Sequence, residues 1–485
     1  MQRVNSRIFR RRACGELALG FALLLVAGCS NSAAGPDPAA PPKPLAGTSL
    51  VLSCPDESFR KVFEPWVRVW AHESGARVTL SAEAMKSGDA VDVAILPAAE
   101  LGAWVERGAL TVLPNSLREP GNPYQFSSIL PPFRGEAFIG WGNQLFATPV
   151  ASHAPVVVFR ADRFADPETR AEYRKRFGRD LAAPATWEEF ADIAAFFAER
   201  DKRPSLPPLN DSGLEDLFLR VAACHDRPAL AGDGSDTAGL AFTFDLDTGK
   251  SRLQSLGFLQ AARWLASLKS RGCLPARGDS NPATELTNDR ATLAIATLAD
   301  LMQLTPEHKR AGRYGLAALP GAGLVVSPTT GKLVNVPGNR IPYLAGGTVG
   351  VVRTSCKNPE AAFALLAELT GPTRSKELAG AGGFAPVRES LLESDRLTAW
   401  LGYGFDEART RTLQEAVRTN IGAPVRNPAL GLRTPDEAEL HQALRAALTR
   451  IVDGTSTPEA GLKSAAEQWD RTSRLEWHRR AAGLN

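Results

Sequence analysis

Apolar positions along this chain fall into three kinds of run. The first, residues 17–27, is unbroken and follows Arg3, Arg7, Arg10, Arg11 and Arg12. A basic flank, a short apolar core and closing small residues form the pattern of an export signal. The run is shorter than the roughly 20 residues a membrane-spanning helix needs. The second kind is the short apolar block bounded by polar residues, which reads as a strand. Residues 49–54, 77–82 and 91–97 are such blocks, as are 156–159, 292–296 and 348–352. The third kind repeats at helical spacing. Phe59, Val62, Phe63, Trp66, Val67 and Trp70 share one stripe, which Pro65 is expected to kink or end. Phe190, Ile193, Ala194 and Phe197 form another behind Thr186 and Glu189, a capping box. Asn358-Pro359 opens a helix that Gly371-Pro372 ends. Leu440, Ala443, Leu444, Ala447, Leu448 and Ile451 form a late stripe stopped by Gly454, and Thr457-Pro458 starts a helix to about Trp469. Strands alternating with helices predict an α/β protein that opens on a parallel sheet.

Leu25-Val26-Ala27-Gly28-Cys29 closes the first run and resembles the lipobox of bacterial lipoproteins. The resemblance implies a signal peptide over residues 1–28 and lipidation of Cys29. Residues 29–47 then form a tether rich in Pro and Ala, with Pro36, Pro38, Pro41, Pro42 and Pro44, too poor in apolar residues to fold. The body is expected outside the cytoplasm, anchored by lipid to a bacterial cell membrane or outer membrane. The formal charge of +3 belongs to the leader: residues 1–28 hold five Arg and one Glu, a net +4, which leaves the remainder near −1. Nothing here points to nucleic acid. Beyond Cys14 and Cys29, the chain holds Cys54, Cys224, Cys273 and Cys356, with no spacing suited to zinc. No metal and no cofactor are expected.

Several further motifs occur in a telling order. Val91-Asp92-Val93 precedes Glu106-Arg107-Gly108-Ala109-Leu110. Phe146-Ala147-Thr148-Pro149 leads into residues 156–159. Pro184-Ala185-Thr186-Trp187-Glu188-Glu189-Phe190 follows, then Gly346-Gly347 with Asn358-Pro359-Glu360-Ala361-Ala362. Gly383-Phe384-Ala385-Pro386-Val387-Arg388 and Asp453-Gly454 with Thr457-Pro458-Glu459-Ala460 close the series. Together they resemble the extracellular solute-binding proteins of ABC importers, the group that includes maltose-binding protein and many sugar-binding lipoproteins. The resemblance covers most of residues 48–475. It implies a type II periplasmic-binding-protein fold: two α/β lobes joined by crossover strands, with ligand in the cleft between them. On that pattern lobe I comprises residues 48–148 and 347–389, and lobe II comprises 149–346 and 390–485. The implied partners are a small solute, carbohydrate or a related polyhydroxy compound, and the permease subunits of an importer. A sensory or structural lipoprotein, or a binder of another solute, is the alternative.

Ligands of open α/β sheets sit beyond the carboxyl ends of strands. That rule and the resemblance nominate Asp56, Glu57, Pro97, His153, Asp300, Gly346, Gly347, Arg388 and His441 as ligand contacts. Each has a plain structural role open to it: Asp56 and Glu57 suit a helix start, the glycines a turn, Arg388 an ion pair, His441 a helix surface. The sugar-binding relatives place aromatic rings where this chain has Leu96, Ala299 and His441, which points to a neutral or weakly polar solute held by hydrogen bonds rather than stacking. The resemblance also places the helices ending at Cys224 and Cys273 in one lobe, and implies a disulfide between these two. No nucleophile elbow, H-E-x-x-H or phosphate loop is present, so an enzyme is not expected.

Overall fold

The computed structural model describes residues 43–229, 236–344, 346–422, 425 and 427–484. The expected leader, Cys29 and most of the tether lie outside the described residues. Val93, Ala94, Ile95 and Leu96 are all buried, as a strand covered on both faces must be. They lie in the central strand of a five-stranded sheet, ordered Arg77–Ser81, Ser49–Ser53, Val93–Pro97, Gly347–Val352, Ala147–Ser152. The first three strands are parallel, as the opening pattern predicts. Gly347–Val352 runs antiparallel to both its neighbours.

The helix Glu57–Ser74 packs Phe59, Phe63, Trp66 and Val67 inward and stops at Gly75, whose φ of +82° a side chain would oppose. It is not ended at Pro65, contrary to expectation. Pro65 is exposed, so the carbonyl that loses its N–H partner faces water.

Only three residues separate Ala147–Ser152 from Val156–Arg160, the middle strand of a second sheet flanked by Leu293–Ala296 and Tyr314–Ala317. Both pairings there are antiparallel. Alternating strands and helices predicted elements there but not their directions, because strand periodicity is the same for either pairing. The helix Trp187–Asp201 opens with Thr186 accepting from Glu189 N at 3.2 Å. The Glu189 carboxylate reaches one residue further back than the capping box requires, to Ala185 N at 2.7 Å.

Asp211–Asp226 is the buried helix of this part of the chain, packed between Leu256–Ser270 and Glu437–Val452. The last of these buries the late stripe, and Gly454 ends it at φ +73°. Thr457 caps Pro458–Thr472, whose Trp469 Nε1 donates to Leu440 O at 2.6 Å. A final helix, Leu475–Ala481, was not foreseen. It returns to the side of the first sheet, where Gly142 N donates to Arg480 O at 2.8 Å and Arg480 pairs with Glu106 at 2.9 Å. Among the described residues no helix is long and apolar enough to cross a membrane.

The expected Cys224–Cys273 disulfide is absent. Cys54, Cys224, Cys273 and Cys356 are all free and buried. Cys224 points from its helix at Ile341 O, 3.5 Å from Sγ, while Cys273 lies beside Arg271 O at 3.9 Å. Proximity of two helices does not align their sulfurs, since bridging needs Cβ atoms within about 4.5 Å. Alkylation of the denatured, unreduced body is therefore expected to label all four cysteines, counted by peptide mass spectrometry; a missing pair of labels on Cys224 and Cys273 would contradict the structure.

Candidate functional site

A cleft of about 430 Å³ opens between the start of the Asp211–Asp226 helix and the end of the Leu293–Ala296 strand. Its walls are built from a rigid loop. Ser205 ties that loop down: its Oγ donates to Ala194 O at 2.6 Å, and its carbonyl accepts from Thr292 N at 2.7 Å. The next residues, Leu206, Pro207, Pro208 and Leu209, form an apolar wall that prolines keep from rearranging. Asn210 then caps the helix, accepting from Gly213 N at 2.8 Å, while its amide nitrogen bonds Asp279.

Asp216 lies on this helix and faces the cleft, with Arg220 one turn on. The pair is bidentate, Nε–Oδ2 at 2.7 Å and Nη2–Oδ1 at 2.8 Å. Arg220 also donates to Tyr343 O at 3.2 Å and approaches His153 Nδ1 at 3.3 Å. A guanidinium only donates, so His153 Nδ1 is the acceptor and Nε2 carries the proton. Burial, and then the Arg220 charge, lower the His153 pKa and keep the ring neutral. Opposite stand Thr297 and Asp300, a complete capping box on the helix Leu298–Gln303. Asp300 Oδ2 accepts from Thr297 N at 2.8 Å, and Oδ1 accepts from Asn281 Nδ2 at 2.8 Å. Phe190 is the one aromatic residue among those lining the cleft.

Of the nine residues nominated from sequence, His153 and Asp300 line this cleft. The others do not, each for a physical reason. Asp56 is bound up as an N-cap, accepting from Ser58 N and Phe59 N, and Glu57 pairs with Arg60 at 2.6 Å. Pro97 ends its strand opposite Thr348. Gly346 is in contact with His153, where an added Cβ would fall 2.8 Å from Nδ1. Gly347 adopts φ +143° with the Phe138 ring 2.7 Å from where a Cβ would stand. These two glycines seat the histidine and the strand. Arg388 is 1 % exposed and makes five hydrogen bonds, to Ser375 Oγ, Gln125 O, Ser128 Oγ, Tyr124 O and Thr370 O. His441 is held between Glu215 at 2.6 Å and Glu437 at 3.1 Å.

Sequence reasoning missed Asp216, Asn210, Ser280 and Thr297. A signal for the first existed: Asp216 and Arg220, at i and i+4, are charged residues set within the apolar run of residues 214–224.

The family described as bacterial extracellular solute-binding protein matches residues 71–402. No curated protein matches the sequence. Among solved structures, the sugar-binding protein MalE from Xanthomonas citri is similar, with a TM-score of 0.64 at 15% identity over 89% of this chain and 98% of that one. A solute-binding protein from Thermotoga lettingae, bound with α-D-tagatose, gives 0.61 at 14% identity, covering 88% and 99%. One from Agrobacterium radiobacter K84, in complex with ribitol, gives 0.60 at 18% identity, covering 88% and 100%. The shared fold is the two-lobed α/β architecture.

Two outcomes follow from the residues outside the cleft. Arg388→Met strands the carbonyls of Tyr124, Gln125 and Thr370, and is expected to lower unfolding free energy by roughly 3 kcal/mol or more, read from urea midpoints. For His441, burial disfavours the charge, but the hydrogen bonds to Glu215 and Glu437 outweigh it and push the pKa up to about 10. The raised value means its stabilisation is full below the ordinary 6.5 and lost as pH rises through about 10. His441→Gln is accordingly expected to lower stability most near about pH 6 and to converge on the parent near about pH 10.

Proposed function

Because the chain belongs to the bacterial extracellular solute-binding proteins, we propose that the cleft beside His153, Asp216 and Asp300 captures a small polyhydroxylated solute for delivery to an ABC importer. The observation that carries this reading is the cleft's inventory. His153, Asn210, Asp216, Ser212, Thr297 and Asp300 offer polar groups against apolar walls, and Phe190 is the one Phe, Tyr or Trp in the lining. Hydroxyl groups leaving water need partners, and a site poor in rings must discriminate through them. The tagatose and ribitol carried by two proteins of the same fold are ligands of that chemistry.

Cys29 serves on this reading as the lipid anchor and residues 29–47 as the tether. The lobes divide as residues 48–148 with 347–389, and 149–346 with 390–485. The three-residue passage from one sheet to the other supports the first boundary. Gly383, whose Cβ position lies 3.4 Å from the Ala299 Cβ, supports an approach of the lobes beside Asp300. Hinge closure around bound solute would tighten that approach.

The test is a thermal-shift screen of sugars, polyols, amino acids and oligosaccharides, since a ligand specific to the folded state raises the melting temperature. Sugars or polyols are the expected hits. His153→Ala and Asp300→Asn are each expected to weaken the best of them by roughly 1–3 kcal/mol in calorimetry. Unchanged affinity in both variants would remove the site from this cleft, and hits confined to amino acids would overturn the solute class.

A further inference from the structure

The charges around the cleft do not balance. Asp216 and Asp300 line it, and Asp279 stands between the lining residues Gly278 and Ser280. Arg220, which reaches His153 of the cleft, is bidentate to Asp216 and is 4 % exposed. Arg277, next to Gly278, is drawn away by Asp211 at 2.7 Å and Asp453 at 3.4 Å. Arg163 pairs with Asp201 at 2.6 Å. Neither Asp279 nor Asp300 has an ion-pair partner among the described residues. Asp300 is nonetheless held in one orientation by neutral donors, Asn281 Nδ2, Thr297 N and Thr297 Oγ1 at 2.7–2.8 Å. The facing surface is Pro155, Phe190, Leu206, Leu217, Pro282 and Ile295, apolar groups that screen charge poorly. His153 adds no positive charge, because burial, and then the Arg220 guanidinium at 3.3 Å, disfavour its protonation.

Resting on the cleft being the binding site, we propose that the solute it takes carries a positive charge: a polyhydroxylated compound bearing an amine, such as an amino sugar or an aminocyclitol. Its ammonium group sits against Asp300, with Asp279 adding longer-range attraction, and its hydroxyls meet His153, Asn210 and Thr297. An acidic sugar meets two carboxylates that lack a cation and, among the described residues lining the cleft, no guanidinium. This departs from the neutral solute that the missing aromatic rings indicate. Rings report on how a sugar face is held, not on the charge of its substituents.

The experiment is calorimetry of the lipid-free protein against matched sets of probes: D-glucose, D-glucosamine, N-acetyl-D-glucosamine and D-glucuronate, with the corresponding β-1,4-linked disaccharides. Within the set that binds, the amine is expected to bind about tenfold tighter than the neutral sugar, the difference between a charged and a neutral hydrogen bond. Acetylation, which removes the charge and keeps the nitrogen, is expected to return affinity to the neutral level, and the glucuronate is expected not to bind. Asp300→Asn, which keeps an acceptor for the cap, is expected to erase the amine's advantage, and Asp279→Asn to reduce it. Added salt is expected to weaken the amine and leave the neutral sugar unmoved. Equal affinity for amine and neutral sugar, or tighter glucuronate, overturns the charge assignment and leaves the cleft a sugar site. Affinity for the bound probes that neither Asp300→Asn nor His153→Ala changes overturns the cleft itself as the site.

Discussion

The strand Gly347–Val352 is hydrogen-bonded on both sides, to Val93–Pro97 and to Ala147–Ser152, and the cleft depends on that placement. It brings together three stretches of chain that lie far apart in sequence. Its first residue sits opposite Ser152, so the chain just after Ser152 must leave the sheet at that level. His153 is the residue that leaves. Gly346 permits this, because any Cβ there would collide with the imidazole. Ser152 is fixed in turn by Ala385 O, which accepts from its N at 3.0 Å, and by Pro386 O, which accepts from its Oγ at 2.7 Å. The passage between the two sheets is thereby held from three sides. A side chain positioned that firmly loses little entropy when it meets a ligand.

Two buried arginines show how neighbours decide a charge's role. Arg220 meets a carboxylate in a two-point pair, and its remaining donors hold a carbonyl and His153. Arg388 meets no carboxylate, only carbonyls, hydroxyls and the face of Tyr124 at 5.0 Å. It joins the segment around Tyr124 to the end of the Pro359–Thr370 helix, so its charge contributes to structure rather than to recognition. Read alone, the sequence offers Arg388 as a ligand contact or an ion pair, since nothing near it in the chain reveals the carbonyls that surround it.

The local signals were legible. Apolar blocks gave strands, stripes gave helices, and Thr186, Thr457 and Gly454 stood where helices begin or end. These depend on neighbours within about four residues, whose contacts are fixed by helix and strand geometry. The failures share the opposite character. Pro65 was tolerated because that helix face is wet, and the second sheet ran antiparallel because of which strands met. The two cysteines stayed apart because each faces a different carbonyl.

The candidate site divides the same way. Asp300 was legible because it follows a strand visible in the sequence, and His153 because the resemblance places a crossover just before the block at residues 156–159. Asp216, Asn210 and Ser280 join them only through the packing of the Asp211–Asp226 helix against the loop that Ser205 fastens. The sequence by itself determined many of the elements, several of their caps and the resemblance to a family. The tertiary structure alone decided which polar groups share a cleft and which of them keep an uncompensated charge. A charge is neutralised by whatever lies within a few ångströms in space, and chain position does not report that distance.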